Sequence, residues 1–349
     1  MLNKDQRQSV GSDGIGIQAG GNVNIGISVE EARSIALDVA KVTFYELTGL
    51  AKDTMSARVE EITEHVISRI SKEYPEGLRK AVDPDFQYAL LTVQKQYGRT
   101  GDEDLGQLLA DLLVDRSKQD QRSILQIVLN ESLEVAPKLT ASQLSILAVA
   151  FFLRYTVENK MASDAQLGLY FDVYLQPFVS GLVNSIASFQ HLEFAGCGSA
   201  QMAHASLEDI FLHGYTGLFV KGFDAAVVEA SGLSDSLCRK FLIPCLNDKT
   251  KFQVGAMNLE VLQKLIGLEE VAPQDAVMIF SLFGRNKMSA SEVRSKCVAL
   301  RSYMERVFTF WDESDIHKFS LTSVGIAIGH ANIKKTIGKE FADLSIWIN

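Results

Sequence analysis

No two of the four cysteines stand close enough to form a metal clasp. Cys197, Cys238, Cys245 and Cys297 include no CxxC pair, whereas structural zinc sites draw thiolates or imidazoles from closer pairs. Free thiols in a reducing cytoplasm are therefore expected, with no metal and no other cofactor. A secretory leader is not expected either, because Met1 to Val10 is polar and carries Lys4, Asp5 and Arg7. Excess positive charge is lacking: 34 Lys and Arg face 43 Asp and Glu, a formal net charge of −9. Such a surface repels phosphate backbones on average, so nucleic-acid binding needs a local basic patch. P-loop, GxSxG, HExxH and EF-hand spacings are also missing, and no motif announces an activity. The run from Val173 to Leu192 has no formal charge and is long enough for a bilayer. It contains Gln176, Pro177, Asn184 and Gln190, a composition that predicts a buried core helix kinked at Pro177 rather than a membrane span.

What is present is a mainly α pattern with a different opening. The 349 residues exceed the usual size of one core, and 47% of them are hydrophobic. From Ile15 to Ile27, apolar residues fall on odd positions: Ile15, Ile17, Ala19, Val23, Ile25 and Ile27. Gly16, Gln18, Gly20, Asn22, Asn24 and Gly26 fill the even ones. Period-2 alternation is the signature of a strand with one buried face, and Gly20-Gly21-Asn22 suits a tight turn. The segment reads as a short hairpin or one rung of a β-solenoid. A phosphate-cradling loop is the poorer reading, since its glycines must open directly into a helix. So few apolar residues cannot hold a two-stranded element alone, which leaves self-association, docking on the helical body, or disorder. Self-association is expected, with Ile15, Ile17, Gln18, Asn22, Val23, Asn24, Ile25 and Ile27 as its contacts.

Helical signals follow. Ser28 and Glu31 form a capping box, and Ile35, Val39 and Val42 share a stripe. Gly49 breaks or kinks that helix. Val59, Ile62, Val66 and Ile70 face inward on the next, with Glu60, Glu61, Glu64 and Arg69 outside, until Pro75-Glu76-Gly77. Leu105, Leu108, Leu109, Leu112 and Leu113 line a third helix. Leu125, Val128, Leu129, Leu133 and Ala136 line a fourth, which Pro137 stops. Thr140 and Gln143 open the helix of Leu144 to Tyr155, and the short connector predicts an antiparallel hairpin with its predecessor. Ser206 opens a short helix in a loop-rich stretch. Asn258–Ile266 and Pro273–Phe283 are helices, and Ser289 with Glu292 caps one carrying Val293, Cys297, Leu300, Met304 and Val307. Phe319–Leu321, a helix from Ser323 to Lys335, and an alternating Leu344–Ile348 strand give a winged-helix-like outline. The expected organisation is a β-segment for oligomerisation (1–27), a helical stalk (28–98), a central helical domain (99–250), and a C-terminal α+β region (251–349).

Two side-chain groups could carry chemistry. His191, Cys197, His204 and His213, with Glu193, Glu208 and Asp209, are candidates for a metal or acid–base site, though their spacings match no established one. Arg285, Lys287, Arg294, Lys296, Arg301 and Arg306 make the late helices locally basic, as a DNA-binding winged helix requires, and Glu292 and Glu305 dilute them. Asp102-Glu103-Asp104 complements the dipole of the helix it precedes.

Gln8-Ser9-Val10-Gly11 and Ile17-Gln18-Ala19-Gly20-Gly21-Asn22-Val23-Asn24-Ile25 resemble the opening of a family of uncharacterised bacterial proteins. Leu321-Thr322-Ser323-Val324-Gly325-Ile326-Ala327-Ile328 and Leu344-Ser345-Ile346-Trp347-Ile348 resemble its ending. The stretch Asp102 to Asp115, with the Leu-Thr-x-x-Gln-Leu-x-x-Leu run from Leu139 to Leu147, resembles Abi-alpha abortive-infection proteins. That resemblance implies a role in phage defence through helical packing. With the alternating segment, the helical stalk and the missing catalytic motifs, the expected function is that of a non-enzymatic defence or stress protein, a cytoplasmic homo-oligomer that contacts another protein. The alternatives are a DNA-binding regulator and an enzyme with a site around His191 to His213.

Overall fold

A computed structural model describes residues 27–41, 48–202, 204–338 and 341–349. Ile15, Ile17, Gln18, Asn22, Val23, Asn24 and Ile25 lie outside the described residues. The architecture is mainly α, as the periodicity predicts. Helix α1 (Val29–Ala40) opens on the Ser28–Glu31 capping box and lies along α2 (Gly49–Glu73). Gly49, at φ +59°, marks the break. A 3-10 turn, Pro75–Val82, leads into α3 (Pro84–Thr100), which Gly101 closes in the left-handed region. Residues 28–98, expected as a stalk, are instead packed into the body: α2 buries Val59, Ile62, Val66 and Ile70 against α3 and α4 (Glu103–Ser117).

Helix α4 is the most enclosed of these. Its leucines are almost fully buried, and Asp102 caps it by accepting from the Leu105 amide. Helices α5 (Ile124–Val135) and α6 (Ala141–Tyr155) follow, the latter on the Thr140–Gln143 capping box. The expected α5–α6 hairpin is not the principal packing. Helix α6 packs chiefly on α17, from the far end of the chain, and α5 packs on α17 and α4 alike. The intruder is built to fit: a Cβ at Gly329 would stand 2.7 Å from the Leu147 carbonyl oxygen and 3.0 Å from Phe151 Cβ.

The uncharged Val173–Leu192 stretch forms no single kinked helix. It breaks into the end of α7 (Asp164–Tyr174), the single turn α8 (Gln176–Val179) with Pro177 in its first turn, and α9 (Ile186–Phe194). Among the described residues, no helix is long and apolar enough to cross a membrane. Helices α10 (Leu207–Gly214), α11 (Ala225–Ala230), α12 (Asp235–Phe241), α13 (Leu259–Leu268) and α14 (Pro273–Phe283) follow. The expected single helix through Val307 is two, α15 (Ala290–Leu300) and α16 (Met304–Glu313), because Arg301 turns extended to meet Asp172. Helix α17 spans Ser323–Ile337.

Four short strands complete the described residues: β1 (Gly198–Ala200), β2 (Leu242–Pro244), β3 (Phe252–Val254) and β4 (Phe319–Leu321). They form two antiparallel pairs, β1–β4 with Gly198 opposite Leu321, and β2–β3 with Leu242 opposite Val254. The winged-helix outline is not found. Strand β4 pairs with residues 198–200 rather than with a neighbouring wing, and the expected Leu344–Ile348 strand is a 3-10 turn at Leu344–Ile346. There Leu344 and Ile348 are buried, and Trp347 Nε1 donates to the Tyr155 carbonyl at 2.7 Å. One core runs from Ala32 to Ile348, across the boundaries placed at 98/99 and 250/251. A smaller core, Phe223 to Phe283, gathers α11 to α14 and the β2–β3 pair.

Candidate functional site

The histidines singled out in the sequence do not converge. His191 sits on α9, its Nδ1 3.0 Å from the Gln143 side-chain nitrogen. Cys197 is buried, and burial pushes its thiol up to about 12. His204 meets His317 edge-on at 5.9 Å, a neighbour the local sequence does not reveal. His213 Nδ1 lies 2.6 Å from the Asp209 carbonyl oxygen, one helical turn back. Glu193 is exposed and Glu208 buried. Among the described residues, no three His, Cys, Asp or Glu side chains are grouped to hold a metal ion.

Most of the late basic side chains are engaged internally. Arg294 pairs with Glu305 at 2.7 Å and Asp312 at 2.8 Å. Lys296 pairs with Asp164 at 2.9 Å and donates to the Leu218 carbonyl. Arg301 is held by Asp172, and Arg306 donates to the Ser180 and Leu182 carbonyls. Arg285 and Lys287 are exposed.

Long-range folding does assemble an ionic cluster between α2, α4 and α17. Arg69 Nη2 lies 2.6 Å from both Glu73 Oε1 and Asp111 Oδ1. Lys334 Nζ stands 3.3 Å from Asp115 and 3.5 Å from Glu73, and Lys118 Nζ is 2.8 Å from Asp115. Three carboxylates thus face three cations. Burial alone would raise the Asp115 carboxyl, but Lys334 and Lys118 outweigh it and hold the group below its usual range. Burial wins at Asp111, which is raised despite Arg69 and Lys334. Burial opposes the Lys334 charge, yet Asp115, Asp111 and Glu73 hold its ammonium above the ordinary lysine value. Each charge has a counter-ion, so the cluster acts as a joint, not as a reactive centre. The sequence held one signal for it: Asp111 and Asp115, a turn apart, interrupt the leucines of α4.

The candidate site is the groove over α2, α3 and α5. Its volume is about 740 Å³, and Leu50, Met55, Tyr88, Leu91, Lys95 and Glu134 help to line it. Leu50 is 83% exposed and Tyr88 67%. Arg58, Lys95 and Arg99 make the rim basic against one carboxylate, Glu134. Arg58 is fixed there: its Nη1 donates to the Gly98 carbonyl at 3.2 Å, at the negative end of α3. Gly98 lets α3 approach closely, since a Cβ there would sit 3.1 Å from Met55 and Val59 side-chain atoms. Chemically the groove offers apolar area beside fixed positive charge, the features that receive an amphipathic acidic segment. Leu50 and Tyr88 escaped sequence reasoning because each is a single apolar residue on a polar face. Of the eight expected oligomer contacts, Ile27 is the one described, half-buried against the main core.

One family model, that of an uncharacterised protein family, matches residues 26–348. No curated protein and no solved structure matches the chain.

Proposed function

The chain belongs to that family, and we propose that it acts through protein–protein contacts, as a homo-oligomer in the bacterial cytoplasm, in defence against phage or in stress. The observation that carries this reading is the groove over α2, α3 and α5, where Leu50 and Tyr88 stand exposed beside Arg58, Lys95 and Arg99. Lone exposed apolar side chains are ordinary; grouped around a concavity they suit a partner surface. The resemblance of the central helices to Abi-alpha proteins supports the defence role. The alternating segment that ends at Ile27 supports assembly, which would gather several grooves on one particle and raise their effective concentration on a partner. DNA binding has less support, because Arg294, Lys296, Arg301 and Arg306 are engaged within the chain.

Phage plating on cells carrying the gene, at native expression, tests the role. Protection is expected against part of a broad phage panel, and Leu50→Asp with Tyr88→Asp is expected to abolish it while the helical spectrum is unchanged. Unchanged plating across the panel overturns the defence reading. Light scattering tests assembly separately: Ile17→Asp, Ile25→Asp and a chain beginning at Ser28 are expected to lose mass relative to the wild type, since each variant buries an unpaired charge or removes the segment. One mass for all four would show that this segment does not drive association.

A further inference from the structure

A second concavity lies between α6, α7, α10 and the start of α13, and its wall holds a cation that lacks a counter-ion. The cleft measures about 520 Å³, within the ordinary range for small-molecule sites of about 300–1,000 Å³. Phe152, Val157, Tyr170, Ile210, Tyr215 and Leu259 form much of its lining. The aromatic walls are held in place by one another: the Phe152 and Tyr170 ring centres are 4.9 Å apart, and those of Tyr170 and Tyr215 are 6.5 Å apart. Tyr215 is anchored further, because its hydroxyl oxygen accepts from the Glu158 amide at 3.1 Å.

Arg154 belongs to this wall. Its guanidinium lies over the Trp311 ring at 4.9 Å, and Nη2 donates to the Ile316 and His317 carbonyls at 3.0 and 2.5 Å. Its Nε is buried without a hydrogen-bond partner. No carboxylate pairs with it among the described residues, although Asp209 lines the same cleft. Two other enclosed guanidiniums of the body do have one: half-buried Arg69 pairs with Glu73 and Asp111, and fully buried Arg116 with Asp85, whereas half-buried Arg58 donates to the Gly98 carbonyl. Burial accordingly lowers the Arg154 pKa, and no acidic side chain offsets it. A buried charge without a partner is costly, and a planar guanidinium matches a carboxylate in two-pronged geometry.

We propose that the cleft walled by Phe152, Tyr170, Tyr215 and Leu259 binds a small aromatic acid, whose carboxylate pairs with the guanidinium of Arg154 where it lines the cleft. The ring lies against the aromatic wall, and the acid group supplies the negative charge that the fold leaves out. Trp311 behind the guanidinium keeps the cation fixed, so little ordering is needed on binding. The site is independent of the α2–α3–α5 groove, and its failure leaves the partner reading untouched.

Isothermal titration of the full chain with naphthoate and with its uncharged amide tests the assignment. Naphthoate is expected to bind saturably and at least about tenfold more tightly than the amide. Arg154→Gln should erase that preference. Leu259→Trp, at a half-exposed position on the rim, should weaken both ligands by filling the cleft. Circular dichroism accompanies each variant. If Arg154→Gln does not fold, Arg154→Lys, which keeps the charge and loses the fork, is expected to narrow the preference. Equal binding of acid and amide by the wild type, or binding of neither, overturns the proposal, as does a preference indifferent to both Arg154 variants and to Leu259→Trp.

Discussion

The main body and the smaller unit between Phe223 and Phe283 are stabilised on different scales. In the body, α6 buries nine of its fifteen residues, and α17 adds a run of ten from Gly325 to Lys334. In the smaller unit α11 buries none of its six residues and α13 buries Leu262 alone. Leu259, Leu268 and Val277 stay exposed there. The body can therefore enclose charges such as Lys334 and Asp111, since ample apolar burial around them offsets their desolvation. The smaller unit keeps its ion pairs, Lys240–Glu269 and Lys264–Glu260, on its surface, where they contribute little. Depth of packing decides which polar groups a region can hold.

Two body substitutions give the largest expected effects. Phe151 is fully buried against Tyr155, His330 and Trp347, and Phe151→Ala should cost about 3–5 kcal/mol through lost burial and a cavity. Lys334→Met should cost about 3–5 kcal/mol, because it leaves Asp115 and Glu73 short of a cation. Thermal melts check both, and a small shift for either would mean that the body is less tightly enclosed than the smaller unit is loose. A medium effect separates the regions themselves. Amide hydrogen exchange should proceed faster in α11 to α13 than in α4, α6 and α17, and Phe283→Ala should accelerate exchange only within residues 223–283. Uniform acceleration would join the two regions into one cooperative unit. Ser289→Ala removes the α15 cap and should cost about 1 kcal/mol, read by denaturant midpoint.

The smallest effect depends on pH. Burial pushes the His330 imidazole below its ordinary range, while the Ala342 carbonyl and Asp115 pull it up and Lys334 opposes them. The unfolded chain therefore takes up a proton more readily than the folded one. Stability from this residue is full above the unfolded histidine value of about 6.5 and declines as pH falls beneath it. His330→Phe should flatten the fall in melting temperature between about pH 6.5 and about pH 5. An unchanged slope would assign the fall to other groups.

Local signals in the sequence were legible and long-range ones were not. The capping boxes at Ser28, Thr140 and Ser289 are found where their spacing places them, because each is closed within four residues. Pro273 to Phe283 is likewise bounded by its own proline and by Gly284. The break at Arg301 was not legible, since its cause is Asp172, 129 residues away. Leu344 to Ile348 alternates like a strand, yet Leu344 and Ile348 also stand one turn apart, and among the described residues the segment pairs with no strand. Arg69 looked like a solvent-facing residue because Asp111, its partner, lies on another helix. The same blindness hid the candidate groove and the cleft beside Arg154, each assembled from three or more helices.

The insertion of α17 between α5 and α6 also has a consequence in time. Asn332 donates to the Leu144 carbonyl across 188 residues of sequence. At a synthesis rate of about 5–20 residues per second, Phe151 and its neighbours wait roughly ten to forty seconds for the helix that covers them. Through that interval the nascent chain displays a trough of leucine and phenylalanine to the cell, a stretch of vulnerability that ends only when Gly329 slides home against Leu147.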